Sequence, residues 1–262
     1  FGREKELALL NEAWADPHSH IVTFVAWGGV GKSALVNHWL NLMADKDYGG
    51  AKLVFGWSFY SQGAEAGKQP AADEFMHTAL AWFGDPDPSV GGGVEKARRL
   101  VDLIRREPTL LVLDGLEPLQ YPPGELHGFD GRLKDPGLKI LGKELAVSMS
   151  QPGLCVITTR ETLADLVDKV GHSVKEVCLE HLSDEAGAQL LRSLGVTGAK
   201  KELFQAVWEY DGHALALTLL GNYLRSVFQG DIRKRDQVPG ITQDRKKGWQ
   251  AQRMMAAYEV WW

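Results

Sequence analysis

The chain has 262 residues, of which 44% are hydrophobic and 24% charged, with a formal net charge of −5. That composition is ordinary for a soluble globular protein, builds a core without staples, and does not indicate nucleic acid or an anionic membrane as the main partner. No apolar run is long enough for a membrane span.

In chain order, residues 1–15 predict a short helix with Leu7, Leu10 and Trp14 on one face, broken at Asp16-Pro17. Ile21-Val22-Thr23-Phe24-Val25 is an apolar, β-branched strand, and the spacing predicts a helix over 34–43. Between them stands Ala26-Trp27-Gly28-Gly29-Val30-Gly31-Lys32-Ser33, which reads [A/G]-x-x-x-x-G-K-S. Strand, glycine loop and helix are the setting a phosphate-binding loop requires. Gly28, Gly29 and Gly31 let the backbone curl so that successive N–H groups point at phosphate oxygens, and the helix N-terminus adds its partial positive charge. Lys32 reaches the outer phosphates and the Ser33 hydroxyl is a Mg²⁺ ligand in such loops. The alternative is a glycine-rich turn with no ligand.

A second strand, 52–60, is rich in aromatics, and a polar loop follows over 61–70. Helices are predicted over 72–83 and 94–106, the latter amphipathic with Arg98, Arg99, Arg105 and Arg106 on its solvated face. Thr109-Leu110-Leu111-Val112-Leu113-Asp114 reads as a buried parallel strand ending in an acid. Downstream of a phosphate loop this is a Walker B pattern, in which Asp114 holds Mg²⁺ and Glu117 polarises a water for attack on a γ-phosphate. Read alone, it is also an acidic turn after a core strand. A long Pro- and Gly-rich loop, 117–137, leads to a helix over 138–150. The fourth strand, 154–160, ends in Thr158, Thr159 and Arg160, residues suited to facing a γ-phosphate. From this segment alone, Arg160 reads equally as a surface arginine. A short helix over 161–167 and a fifth strand over 174–179 complete the strand signals. Cys155 and Cys178 lie in these apolar runs and read as buried small hydrophobes.

Beyond His181 the pattern is helical, over 184–194, 200–210 and 215–228; 230–248 is polar without periodicity, and 249–262 is helical again. These segments predict three parts: a nucleotide-binding domain over 1–181, a helical domain over 182–229, and a linker with the start of a further domain over 230–262. The chain begins without a methionine and ends in mid-pattern at Trp261-Trp262, so we expect a piece of a longer protein; two cysteines without disulfide or metal spacing fit a reducing, cytoplasmic setting.

Taken together, the ordered motifs resemble those of the STAND class of P-loop NTPases, which includes the NACHT and NB-ARC proteins. Phe1-Gly2-Arg3-Glu4 resembles the N-terminal motif that packs on adenine. The run from Gly28 through Ser33 and Ala34 to Leu35 is similar to the NB-ARC phosphate loop, and Val112 to Glu117 resembles the NACHT form of Walker B. Ile157 to Arg160 looks like the sensor-arginine motif, and Gly212-His213-Ala214-Leu215-Ala216-Leu217 resembles the segment that closes over the base. Ala214 stands where the family usually carries a proline, and the histidine that commonly holds ADP would lie beyond Trp262.

The resemblance implies an α/β fold: a five-stranded parallel sheet flanked by helices, with the sensor strand between the phosphate-loop and Walker B strands, plus a small C-terminal helical domain and, over 230–262, a linker and the start of a truncated winged-helix domain. It implies ATP/ADP and Mg²⁺ as cofactors and slow ATP hydrolysis as a switch. Phe1, Gly2, Arg3, Gly28, Gly29, Val30, Gly31, Lys32, Ser33, Ala34, His213 and Ala214 would hold nucleotide. Ser33 and Asp114 would hold the metal, and Glu117 and Arg160 would act on the γ-phosphate. As partners it implies other copies of the chain in the ATP state, effector and sensor domains of the same longer protein, and an activating ligand; bacterial relatives link it to antiphage defence and signalling. Two other functions fit the motifs: a P-loop phosphotransferase, and an ADP-binding interaction module without turnover.

Overall fold

The computed structural model describes residues 1–60, 72–125 and 128–238. The loop predicted over 61–70 and the helix predicted over 249–262 lie outside these residues.

Five parallel strands form one sheet in the order β2-β3-β4-β1-β5. They are β1 (Ile21–Val25), β2 (Leu53–Ser58), β3 (Thr109–Asp114), β4 (Leu154–Thr159) and β5 (Val174–Cys178). β4, expected as the sensor strand, therefore separates β1 from β3, expected as the Walker B strand, in the predicted order. β3 and β4 are almost wholly buried, which is why they read as unbroken aliphatic runs rather than as alternation. The helices are α1 (Glu4–Ala15), α2 (Lys32–Ala44), α3 (Ala72–Trp82), α4 (Gly93–Ile104), α5 (Pro136–Val147), α6 (Asp184–Ser193), α7 (Lys200–Glu209) and α8 (Ala214–Phe228). Among the described residues, no helix is long and apolar enough to cross a membrane.

The chain divides into two compact units. The sheet unit comprises Leu7–Ala26 and Lys32–Cys178. Its core joins the sheet to α3, α4 and α5 through residues such as Phe75, Leu100, Leu111, Leu141 and Ile157. The aromatics of β2 serve this core: Phe55 packs on Phe75, Trp82 and Phe83 with ring centroids 5.2–6.4 Å apart. Helix α5 starts where its sequence directs, with Asp135 accepting the Leu138 N–H at 2.8 Å and Pro136 in the first turn.

The second unit gathers Phe1–Glu6, Trp27–Gly31 and the chain from Leu179 onward. Its core is formed by α6, α7 and α8 around Leu191, Leu203, Tyr210, Leu217 and Leu220. Ser183 caps α6 by accepting the Ala186 N–H.

Three expectations are revised. Residues 161–163 are not helical; a 3-10 helix begins later, at Ala164–Lys169. Backbone groups needed for a helix are used elsewhere, since the carbonyls of Glu161 and Thr162 accept from the Gln120 side chain. The aperiodic stretch after Gly230 holds a 3-10 turn, Ile232–Gln237. Buried Ile232 anchors it, and so does a buried ion pair in which Arg235 Nε lies 2.8 Å from Glu209 Oε2. Such contacts leave no periodic trace. Lastly, Cys155 is buried as expected, but Cys178 ends the edge strand β5 and is exposed.

Candidate functional site

In an open parallel sheet, ligands bind beyond the carboxyl ends of the strands, where the strand order reverses. Here that place lies beside β1, whose neighbours are β4 and β5. Register aligns Val25 with Thr159, Leu113 with Ile157, and Ser58 with Asp114, so the ends of β1, β2, β3 and β4 present their residues along one edge.

In the sheet unit, Lys32, Ser33, Asp114, Glu117 and Arg160 come together there. Lys32 opens α2, is 8% exposed, and donates from Nζ to the Ala26 carbonyl at 2.5 Å. Burial lowers its pKa, while the Glu117 and Asp114 carboxylates work in the opposite direction. Ser33, in the same first turn, donates from Oγ to Asp114 Oδ1 at 2.7 Å. Thr158 Oγ1 donates to the same oxygen at 2.6 Å and accepts the Gly115 N–H at 2.9 Å. Ser58 Oγ lies 3.5 Å from Asp114 Oδ2. Asp114 is thus oriented by hydroxyls from neighbouring strands and from the phosphate-loop helix. Thr158 and Thr159 differ from expectation: both are buried, and their hydroxyls are engaged by Asp114 and Gln120.

Glu117 begins a 3-10 turn, Glu117–Leu119, just past β3. Its Oε1 lies 2.7 Å from Arg160 Nε and accepts the Tyr60 hydroxyl. Its Oε2 is buried with no hydrogen-bond partner among the described residues. The Arg160 guanidinium also lies over the Tyr60 ring, 5.9 Å from its centroid. Gly115 makes room for that ring: its φ is +74°, and a Cβ there would overlap Tyr60. Burial and the Glu117 carboxylate push the Tyr60 phenol well above its ordinary pKa, so it remains a donor.

In the helical unit, His213 caps α8. Its Nδ1 accepts the Ala216 N–H at 3.2 Å, and its Nε2 lies 3.0 Å from the Gly28 carbonyl. The two contacts assign the neutral tautomer with hydrogen on Nε2. Leu215 N–H donates to the Gly29 carbonyl at 3.0 Å. Gly29, with φ +76°, has no room for a Cβ, which would lie 2.5 Å from His213 Cε1. Burial lowers the pKa of His213, and nearby His181 acts in the same direction. Arg3 donates to the carbonyls of Val30 at 3.2 Å and Glu180 at 2.7 Å. Phe1 is 59% exposed, and Gly2 packs on Ala186. A cleft of about 740 Å³ in this unit has walls that include Trp27, Val30, His181, Trp208 and Asp211. Phe1, Gly2, His213 and Ala214, expected around a base, do not line it.

Sequence reading missed Ser58, Tyr60 and Gln120. Tyr60 stands two residues beyond β2 at the ligand edge, and Gln120 is a polar residue following buried Leu116 and Leu119. Both positions were visible signals, but no motif spacing singles them out.

The donor set fits a Mg²⁺-nucleotide. Mg²⁺ keeps several waters and takes one or two protein oxygens together with phosphate, which Ser33 and Asp114 supply. Among the described residues, no group of three or more His, Cys, Asp or Glu gathers as a metal cage.

No protein-family model and no curated protein matches the sequence. Solved structures do. A STAND protein with a tetratricopeptide repeat sensor from Pyrococcus horikoshii aligns over 84% of this chain and 29% of its own, at 16% identity and TM-score 0.53. A Walker-type ATPase of Pyrococcus abyssi aligns over 90% of this chain and 70% of its own, at 20% identity and TM-score 0.57. The Aeropyrum pernix ORC1 protein, solved in complex with DNA, aligns over 86% and 60%, at 18% identity and TM-score 0.53. This chain therefore spans under a third of the length of the STAND protein. The fold is the α/β fold of the P-loop ATPases.

Proposed function

We propose that the chain is the ATP/ADP-binding switch module of a STAND-type NTPase. The observation that carries the nucleotide-binding part of this reading is the Ser33–Asp114 hydrogen bond at 2.7 Å, which joins the phosphate-loop hydroxyl to the acid expected as Walker B. Lys32 and the backbone amides of the glycine loop hold the phosphates. Ser33 and Asp114 would hold Mg²⁺, which supplies positive charge to the outer phosphates when bound. Glu117 would take a proton from the attacking water, and its Oε2 has no hydrogen-bond partner among the described residues. Arg160 pairs with Glu117 and would turn to a γ-phosphate when one is bound.

A switch needs each nucleotide to bind two states with different affinity. In this reading ADP keeps the closed monomer, while ATP with an activating ligand permits assembly with other copies. Effector and sensor domains would belong to the same longer protein, with antiphage defence or signalling as the setting. Similarity to a STAND protein in fold supports the class. One observation favours a second reading, an ADP-binding module without turnover: Glu117 Oε1 is already held by Tyr60 and Arg160.

Multiple-turnover phosphate release from the longest natural form of the protein separates the two. Slow release that stops in Glu117→Gln, with nucleotide binding retained, supports the hydrolytic switch. ADP binding with no release in the wild type supports the second reading. Failure to bind either nucleotide contradicts both.

A further inference from the structure

Gln120 closes the turn that begins at Glu117, and its backbone N–H donates to the Glu117 carbonyl at 3.1 Å. Its side chain is 1% exposed. Nε2 lies 2.9 Å from the Gly131 carbonyl, 3.2 Å from that of Glu161 and 3.4 Å from that of Thr162. Oε1 accepts the Thr159 hydroxyl. The amide orientation follows from these partners, since reversing it would face an oxygen to three carbonyls.

The residue between Thr159 and Glu161 is Arg160. Gln120 therefore grips the chain on both sides of Arg160 with its side chain, and grips the turn of Glu117 with its backbone. Around it the loop is pinned to itself: Tyr121 N–H donates to the Arg132 carbonyl at 2.9 Å, and Lys134 N–H to that of Leu119 at 2.7 Å. The Arg160 side chain is 48% exposed, so little packing of its own fixes it. The placement of its backbone, the 2.7 Å pairing with Glu117 and the Tyr60 ring beside it decide where the guanidinium goes.

We propose that Gln120 is a positioning residue, setting Arg160 and Glu117 relative to each other so that discrimination between ATP and ADP depends on a buried amide outside the phosphate-binding groups. The inference rests on the reading of Arg160 as the group that senses a γ-phosphate. A methionine at 120 fills similar space but offers neither donor nor acceptor of comparable strength. The turn at 159–162 then loses its tie to the loop, and Arg160 loses its fixed starting point.

The test is an equilibrium titration of the folded chain with Mg²⁺-ADP and with a non-hydrolysable ATP analogue. It is run on the wild type, Gln120→Met, Thr159→Val, Arg160→Ala and the Gln120→Met/Arg160→Ala double variant. The expected result is an analogue affinity about ten-fold weaker in Gln120→Met, the loss of one charge-assisted bond, with ADP affinity within about two-fold of wild type. The double variant should bind the analogue no more weakly than Arg160→Ala, because both changes remove one interaction. Equal losses for both nucleotides, no loss, or additive losses in the double variant would overturn the inference, since a merely structural role gives one of those patterns. If circular dichroism shows Gln120→Met unfolded, Thr159→Val carries the test. It removes only the hydroxyl that Oε1 accepts, and the same selective loss is expected at smaller size; an unselective change overturns the proposal. Failure of the underlying reading looks different: a wild type that binds neither nucleotide, or an Arg160→Ala variant with unchanged analogue affinity. Either result removes the inference with it.

Discussion

Two acids three residues apart, Asp114 and Glu117, are held in different ways. Asp114 ends a strand, and its Oδ1 receives hydroxyls from Ser33 at 2.7 Å and Thr158 at 2.6 Å. Those donors sit on short side chains at the start of α2 and the end of β4, so regular elements place them. Glu117 stands off the sheet in a 3-10 turn, and its Oε1 is held by the tips of two long side chains, Tyr60 and Arg160. In the proposed function, short side chains on regular elements would preset a metal ligand. Long ones on loops would leave a base that is released when a phosphate competes for its arginine.

The comparison can be broken most severely at Lys32, the buried cation facing both acids. Lys32→Ala should weaken ADP and ATP binding on the order of 100-fold or more, the scale of two charge-assisted bonds. Fluorescence titration checks it, and wild-type-like affinity would mean that the loop is not the site. At the Asp114 corner, Thr158→Val should raise the Mg²⁺ concentration needed for half-saturation roughly ten-fold, as expected for a residue that orients a metal ligand. Tyr60→Phe, at the Glu117 corner, should leave the Mg²⁺ requirement unchanged. Equal Mg²⁺ responses in the two variants would erase the distinction between the corners.

The smallest effect concerns pH. Burial holds the pKa of His213 below its unfolded value, so the unfolded chain takes up the proton first as pH falls. Stability from neutral His213 is therefore fully present above the unfolded pKa of about 6.5 and declines as pH drops below it. Protonation also turns Nδ1 from acceptor to donor against the Ala216 N–H. The groups nearest in this account are His181, whose ring centroid is 5.4 Å away, and Asp211, paired with His181 at 3.2 Å. His213→Gln should flatten the loss of thermal stability between neutral and mildly acidic pH. Melts of both proteins across that range check this, and parallel profiles would place the titration elsewhere.

The strands and the meeting of Ser33 with Asp114 were legible in the sequence because both depend on local pattern. Thr109–Asp114 is an aliphatic run closed by an acid, and Lys32 and Ser33 follow glycines at fixed spacing. The second corner was legible only in part. Glu117 and Arg160 carry motif signals, but their pairing, and the roles of Tyr60 and Gln120, arise from contacts 40 or more residues apart along the chain. The same limit explains the missed turn at Ile232–Gln237, whose anchor Arg235 meets Glu209 26 residues away. Thr158 and Thr159 were located correctly but assigned outward, since strand-end threonines do not announce which acid or amide will engage their hydroxyls.

The central claim is that Arg160 reads the third phosphate from a strand end beside the Walker acids. Calorimetry of wild type and Arg160→Ala with Mg²⁺-ADP and a non-hydrolysable ATP analogue tests it most directly. The account predicts a loss of about ten-fold or more for the analogue, equivalent to one charge-assisted bond of about 1.5–3 kcal/mol, with ADP affinity largely kept. Unchanged affinity for both nucleotides, or equal losses for both, would contradict it.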